Sequence, residues 1–488
     1  MYGDHKLNNH LRIRYGLTKE FFETFSSLSY SSIELPLTMI YHYHFSVIKP
    51  FVNKHQTNNS YIKKKSYNFK SMKEVQKTLY RAPLCQKNLA NEPGRKAVLV
   101  PGAFLPMALK SLKHHQVVLL ISNKNDENTI KEYPRIPANF SIFNLKQSTL
   151  STKMPKKAFK NMKHRANNLI RKQKNHEVFG TSSFKRMLHK QIVNSMKQIY
   201  VLQNLIRKRK IKIILYLNEY IAPGNILALL AHKFNLTFIN VQYYLSTDAS
   251  IIPSRAHYYC VWGTYYKKWL EERGIAGSKI LSIGSLRFEI QKTPAKLKNR
   301  LTVDKRLRIP HNHKLITFFT QDYPGKVNSS MMNWITHSIS NKPVTVVIKP
   351  HRRDHQDYSH FVKHKQIILA PSNFHSYDLL NASDHIMAIS SNIAIEGAMF
   401  KKGIIILQPS IAYDFRYNYN DFYRHLASAN AGAIIRNKHD MMHTINNLLH
   451  STQAESALIE KGQHCLKYTI DDADLPSLRL RRLIDDLT

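Results

Sequence analysis

The residues with the most evident chemistry lie in the stretch 383–408, SDHIMAISSNIAIEGAMFKKGIIILQ. A buried strand runs into a small polar turn, Ser390-Ser391-Asn392, and a helix follows. Ser391 is placed to cap that helix, whose free N–H groups and positive dipole end suit a phosphate group. Glu396 falls about one turn further on, where its carboxylate can accept hydrogen bonds from a ribose diol. An ordinary capped helix with a surface glutamate is the alternative.

A second strand end, VTVVIKPHRRD at 344–354, is basic. Lys349, His351 and Arg352 there suit a diphosphate or an acidic acceptor, because arginine offers forked donors and lysine a point charge. Chance clustering in so basic a chain is the alternative.

A third strand end is ITFFTQDYP at 316–324. Backbone N–H groups near Thr320 and Gln321 can meet phosphate, although a connecting loop would look the same. The sequence contains no Walker loop, no Gly-x-Gly-x-x-Gly after a strand and no acidic metal motif, so we predict neither a metal nor another cofactor.

A carboxylate also follows a strand in LYLNEYIAPGN, residues 215–225. Asn218 and Glu219 lie where an acceptor would bind in a parallel sheet. Glu219 could act as general base on a hydroxyl or hold that hydroxyl by a hydrogen bond. The structural alternative is a glutamate that caps the helix starting near Gly224.

The elements that must position these residues are short β-branched runs alternating with helices, a pattern typical of parallel sheets. The first series predicts strands at Ala97–Val100, Val117–Ser122, Ile211–Leu217, Leu236–Gln242, His257–Gly263 and Lys279–Ile283. The second predicts strands at Leu315–Thr320, Val344–Lys349, Gln366–Leu369, His385–Ile389 and Gly403–Leu407. We therefore expect an α/β protein of two Rossmann-type domains whose parallel sheets face one another across a cleft.

The predicted domain limits follow changes in composition. Residues 1–95 read as a helical, basic extension, residues 96–295 and 296–452 as the two α/β domains, and residues 453–488 as a helical tail. With 488 residues and 43% hydrophobic content, the chain is long enough to form two cores.

The charge is strongly positive. Seventy-three Lys and Arg against 32 Asp and Glu give a formal charge of +41, which attracts nucleic acid, anionic lipid and nucleotide diphosphates. The excess is greatest from Ser151 to Lys212, with 18 Lys and Arg and a single acid, Glu177. A solvated helical face is the alternative there.

The sequence also indicates a compartment. Cys85, Cys260 and Cys465 have no paired spacing, so neither disulfides nor a zinc cluster are predicted. There is no signal-peptide pattern and no uninterrupted apolar run of about 20 residues. We expect a cytoplasmic protein whose membrane contact, at the inner face of the cell membrane, is peripheral.

Taken together, these landmarks resemble the GT-B glycosyltransferases of bacterial surface and capsular polysaccharide synthesis. That group is related in fold to the teichoic-acid glycerophosphotransferases and the UDP-N-acetylglucosamine 2-epimerases. The resemblance covers about Ile211 to Leu407, and residues 1–95 resemble no family. It rests on the order of five segments: Asn218-Glu219, Tyr259–Gly263, Gly284-Ser285, Lys349–His351 and Ser390–Glu396.

The resemblance implies a GT-B-like fold, with the acceptor on the first α/β domain and a nucleotide sugar on the second. It implies a transferase that needs no metal, because helix dipoles and cations neutralise the leaving diphosphate. The catalytic candidates are Glu219 and His351. Nucleotide and phosphate contacts are expected from Thr320, Gln321, Lys349, Arg352, Ser390, Ser391, Asn392 and Glu396. Acceptor contacts are expected from Asn218, Gln242 and Tyr243.

One segment departs from that group's pattern. Where relatives carry Gln-His-Gly, this chain has Gln242-Tyr243-Tyr244, without the imidazole and without the glycine that lets backbone approach a ligand. An altered acceptor, an altered mechanism or a lost activity would each fit this change.

The function predicted from the sequence is transfer of a sugar from a nucleotide-sugar donor to a glycan or lipid-linked acceptor. A CDP-glycerol-type glycerophosphotransferase is the closest alternative, since those enzymes share the Lys-Pro-His pattern and Ser-rich helix, although Glu396 suits the sugar transferases better. A 2-epimerase is disfavoured, because the additional acidic and glycine residues of that group's helix are absent.

Two non-catalytic alternatives follow from the charge. A nucleic-acid-binding protein is disfavoured, because basic residues lie at strand ends instead of alternating with exposed aromatics. The other alternative is a protein related to these enzymes that lacks catalytic activity and binds an anionic membrane surface through Ser151 to Lys212.

Overall fold

The computed structural model describes residues 7–291, 297–323, 326–411 and 424–488, and all bounds and contacts below refer to them. The chain forms two units. The amino-terminal unit consists of the residues up to 290 together with 471–488, and the carboxyl-terminal unit of residues 291–470. The predicted boundary at 295/296 lies outside the described residues.

Parallel strands form the main sheet of the amino-terminal unit. A short antiparallel pair, β1 (Ser29–Tyr30) and β2 (Ile33–Glu34), comes first in the chain. The sheet strands are β3 (Ala97–Pro101), β4 (Val117–Ile121), β5 (Phe140–Asn144), β6 (Ile211–Tyr216), β7 (Thr237–Val241), β8 (Tyr258–Val261) and β9 (Ile280–Ser282). Their spatial order is β5-β4-β3-β6-β7-β8-β9. The order reverses between β3 and β6, where sheets of this kind bind ligands at the carboxyl ends of the strands.

Helices account for most of the rest of this unit. They are α1 (Asn9–Thr24), α2 (Leu35–Thr38), α3 (Ile40–His42), α4 (Lys49–His55), α5 (Asn59–Lys65), α6 (Met72–Leu79), α7 (Leu105–Ser111), α8 (Lys124–Lys131), α9 (Leu145–Ser151), α10 (Lys156–Lys172), α11 (Ser182–Lys208), α12 (Gly224–Phe234), α13 (Asp248–Ile251), α14 (Thr264–Glu271) and α15 (Leu286–Gln291). A π-helical turn, Tyr43–Ile48, joins α3 to α4, and 3₁₀ turns lie at Gly102–Phe104 and Gly277–Lys279.

Residues 7–95, the described part of the region predicted as an extension, belong to the amino-terminal unit. Phe21 of α1 and Phe25, directly after that helix, are fully buried against Phe179 and Phe184. Thr38 donates a hydrogen bond of 2.7 Å from Oγ1 to Ser195 Oγ. Separating this region would expose several large aromatic side chains to water, so it folds with the sheet.

The carboxyl-terminal unit contains a second parallel sheet. Its strands are β10 (Lys314–Phe319), β11 (Val344–Lys349), β12 (Ile367–Leu369), β13 (His385–Ala388), β14 (Gly403–Leu407) and β15 (Ala433–Ile435), in the order β12-β11-β10-β13-β14-β15. Its helices are α16 (Arg300–Leu307), α17 (Val327–Ile339), α18 (Ser359–Val362), α19 (Ser376–Ala382), α20 (Asn392–Met399), α21 (His425–Ser428), α22 (Lys438–His450) and α23 (Thr452–Thr469). The strand order reverses between β10 and β13.

The predicted tail, 453–488, is divided between the two units. Helix α23 belongs to the carboxyl-terminal unit, where Lys314 Nζ lies 2.6 Å from Glu455 Oε2. The last helix, α24 (Pro476–Leu487), packs in the amino-terminal unit, where Leu480 and Ile484 are fully buried.

The two parallel α/β sheets confirm the predicted fold class, and each predicted strand is present within two residues of its bounds. Strands β5 and β15 were not predicted. Both lie at sheet edges and carry few buried side chains, so they lack the apolar run that marks a central strand. In the described part of the chain, no helix combines the length and the apolar character needed to cross a membrane.

Candidate functional site

In the carboxyl-terminal unit, one side chain links the ends of the two strands between which the strand order reverses. Gln321 follows β10, and its Oε1 accepts hydrogen bonds from the backbone N–H of Ser390, at 2.7 Å, and of Ile389, at 3.2 Å. Gln321 Nε2 lies 3.2 Å from Ser390 Oγ, and Tyr323 OH lies 2.6 Å from the same atom. Gln321 therefore fixes the polar turn after β13 against the loop after β10.

Asp354 organises the neighbouring strand end. Its Oδ2 accepts hydrogen bonds from Thr320 Oγ1, from Tyr358 OH at 2.7 Å and from Asn328 Nδ2 at 3.2 Å. Thr320 Oγ1 in turn accepts a bond of 3.0 Å from the backbone N–H of His351. The loop after β11 is thereby tied to the loop after β10. Sequence reasoning missed Asp354 as a site residue, and its place at the end of VTVVIKPHRRD was the available signal.

His351 lies half-buried in that loop. Its Nδ1 accepts a hydrogen bond of 3.3 Å from the backbone N–H of Arg353. Burial, and then the nearby Arg353 guanidinium, lower the pKa of the imidazole below its usual value. Because Nδ1 is an acceptor here, the neutral ring carries its proton on Nε2 and can donate it in a hydrogen bond to a phosphate oxygen.

Helix α20 begins at the same edge of the sheet, directly after the turn. Ser391 is its N-cap, with Oγ 3.3 Å from the backbone N of Ile393, and both Ser391 and Asn392 are half-buried. The positive end of the helix dipole therefore lies at the strand reversal, next to Ser390. Glu396 lies within the helix and is only 1% exposed, so it is not the surface glutamate of the alternative interpretation.

The remaining basic candidates are not joined to this cluster. Lys349 ends β11, and its Nζ lies 3.3 Å from the carbonyl oxygen of Pro371 and 3.2 Å from that of Ser372, after β12. Burial lowers the pKa of this ammonium group. Arg352 is exposed. The structure thus links Thr320, Gln321, His351 and Ser390, whereas Lys349 is held on the opposite side of β11.

In the amino-terminal unit, Glu219 is buried, with 1% exposure. Its Oε1 accepts a hydrogen bond of 3.0 Å from Asn240 Nδ2, and its Oε2 accepts one from the backbone N–H of Arg255. Burial raises the pKa of the carboxyl group. Glu219 therefore holds the segment before β8, and it does not cap α12, whose N-cap is Pro223. Its role as a general base stays a prediction.

The other acceptor-side candidates lie at the ends of β6 and β7. Asn218 Oδ1 accepts hydrogen bonds from the backbone N–H groups of Tyr220 and Ile221, at 3.3 and 3.0 Å. Gln242 is buried, and its Oε1 accepts a bond of 2.9 Å from the backbone N–H of Trp262. Tyr243 packs on Phe104, with 5.6 Å between ring centroids. Asn218 and Gln242 thus shape the local backbone.

Substitution of Gln321 tests whether its hydrogen bonds to the turn after β13 support ligand binding. We expect Gln321→Ala to weaken nucleotide binding about tenfold and to lower the free energy of unfolding by about 1–3 kcal/mol, because two buried N–H groups lose their acceptor. Isothermal titration and urea unfolding measure the two effects.

Gln366→Ala is the matched control. Gln366 Nε2 bridges the carbonyl oxygens of Ile339 and Val344, at 2.8 and 3.2 Å, at the opposite edge of the same sheet. Its loss should reduce stability and leave nucleotide binding unchanged. Equal losses of binding in both variants would contradict a local role for Gln321.

Residues 254–471 match the family model of CDP-glycerol:poly(glycerophosphate) glycerophosphotransferases. No curated protein sequence matches the chain.

Two solved structures are similar in fold. MnaA of S. aureus with UDP has a TM-score of 0.51 and 12% identity, over 80% of this chain and 97% of the other. The UDP-GlcNAc 2-epimerase of Neisseria meningitidis with UDP-GlcNAc has the same score and identity, over 80% and 99%. The wall teichoic acid polymerase TagF, at 12% identity over 85% and 93%, has a TM-score of 0.47.

These matches and the two parallel sheets give the chain a GT-B-like α/β fold, and the family match includes the whole cluster around the strand reversal of the carboxyl-terminal unit.

Proposed function

We propose that this chain is a transferase that takes a group from a nucleotide-linked donor and adds it to a hydroxyl of a surface polymer, and that the group is glycerophosphate from CDP-glycerol. The family match carries the proposal, because residues 254–471 contain Thr320, Gln321, His351 and Ser390. The match is to a family that transfers this group to poly(glycerophosphate).

The proposed reaction displaces CMP. The acceptor hydroxyl oxygen attacks the glycerol-bearing phosphorus, the bond from that phosphorus to the bridging oxygen breaks, and CMP leaves with the electron pair. Catalysis of such a step depends on positioning and on stabilising charge on the phosphoryl and leaving oxygens. The Ser390 N–H donates to Gln321, so the backbone after Ser390 and the dipole end of α20 are proposed to supply N–H groups and positive potential for those oxygens.

His351 adds a donor to the same site. Its Nε2–H would bond to a phosphate oxygen, while Thr320 and Asp354 hold the loop that carries it. Lys349 and Arg352 are proposed to add positive potential nearby. Glu396 stays the candidate for ribose, and its burial within α20 means that ribose could reach it only if the helix start opened. The acceptor hydroxyl proton requires a base, for which Glu219 stays a candidate. Asn218, Gln242 and Tyr243 are proposed for the acceptor side.

Sugar transfer is the second candidate, because it is the activity of the glycosyltransferases whose motif order this chain follows. The two candidates share a nucleotide diphosphate donor and differ in the bond broken. When a glycosyl group is transferred, UDP leaves and a carbon–oxygen bond breaks. When glycerophosphate is transferred, CMP leaves and a phosphorus–oxygen bond breaks. The nucleotide released therefore distinguishes them.

The experiment incubates the full-length protein with CDP-glycerol or UDP-GlcNAc and a synthetic glycerol phosphate oligomer, and measures CMP and UDP release. We expect CMP release with CDP-glycerol and thermal stabilisation by about 2.7 kcal/mol at 100 times Kd. Release of UDP alone would replace the proposal by sugar transfer. If neither donor were turned over, the transferase proposal would fail in favour of a protein that binds without catalysing transfer.

The surroundings of the acceptor are also proposed. A glycan or lipid-linked polymer would be met at the inner face of the cell membrane, where the basic segment 151–212 is the candidate for contact with anionic lipid. Most of the cations of α10 are exposed, as such a contact requires. Binding to single-stranded RNA in place of the donor would favour the nucleic-acid alternative.

A further inference from the structure

A basic cavity of about 420 Å³ lies in the amino-terminal unit, away from the strand reversal. It is bounded by α6, by the segment before β8 and by the segment before β9. These segments lie at the amino ends of β8 and β9, whereas ligands in sheets of this kind bind at the carboxyl ends. The cavity is therefore distinct from the predicted acceptor positions after β6 and β7.

Specific contacts hold the cavity open between its three segments. Gln76 of α6 exchanges two hydrogen bonds of 2.8 Å with the backbone of Ser254. Gly274, with φ of +84°, lets the segment before β9 approach α6, because a Cβ there would lie 3.0 Å from Lys73 Cγ. The walls are thus fixed by the fold.

The lining of the cavity is positively charged. Lys73, Lys77 and Lys279 are exposed and surround its mouth together with Tyr80, which is 46% exposed. None of the residues that line it, all within the described part of the chain, is acidic. Glu74 on α6 is occupied, since its Oε2 accepts a bond of 2.7 Å from the backbone N–H of Lys70. Three ammonium groups from two segments converge without a carboxylate among them.

Arg255 also lines the cavity and adds a fourth positive charge to it. It is 2% exposed, and its Nε and Nη1 donate to the carbonyl oxygens of Arg81 and Pro253, at 2.7 and 3.4 Å. Its Nη2 is buried and has no acceptor among the described residues. Burial lowers the pKa of this guanidinium, and the nearby carboxylates of Glu219 and Glu34 oppose that shift. Its charge is thus partly balanced within the protein, and the guanidinium adds positive potential to the cavity floor.

We propose that this cavity binds phosphodiester groups of the polymer acceptor, as a holding site separate from the site of transfer. The proposal rests on the proposed function for the identity of the polymer. The volume lies within the usual range for ligand pockets, and the open mouth lets a chain enter and leave. Lys73 and Lys77 lie outside the matched residues 254–471, whereas Arg255 and Lys279 lie within them.

The experiment compares two variants of the full-length protein that lose the same charge. The cavity variant carries Lys73→Gln, Lys77→Gln and Lys279→Gln. The control carries Lys54→Gln, Lys63→Gln and Lys64→Gln on α4 and α5, where all three side chains are exposed. Binding of a synthetic glycerol phosphate oligomer is measured at several salt concentrations, and binding of CDP is measured alongside.

We expect the cavity variant to bind the oligomer about tenfold more weakly, and the salt dependence of its binding to fall by about two in slope. The control should bind normally, and CDP should bind equally to all three proteins. Equal losses in both variants, or no loss in the cavity variant, would overturn the proposal. Tighter binding of a single-stranded oligothymidylate through the same lysines would assign the cavity to nucleic acid instead.

Failure of the proposed function is separable from failure of this site. If no CMP is released but oligomer binding depends on the three cavity lysines, the holding site stands and the transferase proposal fails. If CMP is released and oligomer binding ignores those lysines, the transferase stands and the holding site fails.

Discussion

His351→Asn is expected to slow CMP release by about 100- to 1000-fold, the loss seen when one preorganised donor to a transition-state oxygen is removed. Asparagine can replace Nδ1 as acceptor for the backbone N–H of Arg353, so the loop should keep its conformation. What it lacks is the donor at the Nε2 position. Steady-state kinetics should show the loss mainly in kcat, because the missing bond strengthens as charge develops.

Two further variants make this result specific. His351→Gln places an amide N–H near the Nε2 position and should recover part of the lost rate. His355→Asn changes an exposed histidine of the same loop and should have no effect. If the asparagine and glutamine variants were equally slow, and the loop were equally stable in both, donation from Nε2 would be excluded.

The same histidine gives a pH dependence with a definite sign. In the free protein its pKa is lowered by burial and by Arg353, and a bound diphosphate would raise it by attraction. Donor binding should therefore tighten as the pH falls through the raised pKa, until the lowered pKa of the free protein is reached. The donor's own phosphate ionisation affects wild type and His351→Asn equally, so the difference between them isolates the histidine.

The sequence predicted the sheets well because buried parallel strands have nearly continuous apolar sequences, as in Val117–Ile121 and Gly403–Leu407. Prediction from the sequence failed where the buried residues do not follow a single helical or strand period. Helix α1 buries residues around most of its circumference, including His10 and Arg14, so no single apolar stripe marks it. Its partners, such as Tyr220, which lies 2.9 Å from Arg14 Nη2, are far away in the chain.

The candidate site, too, was predicted from the sequence only in part. That polar residues would collect at strand ends followed from chain order, and Thr320, Gln321 and Ser390 do meet at one strand reversal. The orientation of each side chain did not follow from chain order, because it depends on neighbours from other segments of the chain. Lys349 turns toward the loop after β12, and Glu219 is enclosed by Asn240 and Arg255. A single sequence contains no signal for such pairings.

Asp248→Ala is expected to lower the free energy of unfolding of the amino-terminal unit by about 3–5 kcal/mol, because it removes one partner of a buried ion pair. Asp248 Oδ1 lies 2.5 Å from Arg273 Nε, and both side chains are only 2% exposed. The guanidinium also lies 3.7 Å from the centroid of the Trp269 ring. Urea unfolding followed by tryptophan fluorescence should therefore report the change directly.

The pair holds the segment between β7 and β8, which carries Arg255 and Ser254 of the basic cavity, against α14. Removing both charges together, in Asp248→Leu/Arg273→Leu, should restore most of the lost stability, since no uncompensated charge is then buried. Glu23→Ala, which breaks the exposed pair with Lys19, should cost less than about 1 kcal/mol. If Asp248→Ala cost no more than Glu23→Ala, the segment would be held by its other contacts, such as the Gln76–Ser254 bonds. The cavity would then keep its shape without the ion pair.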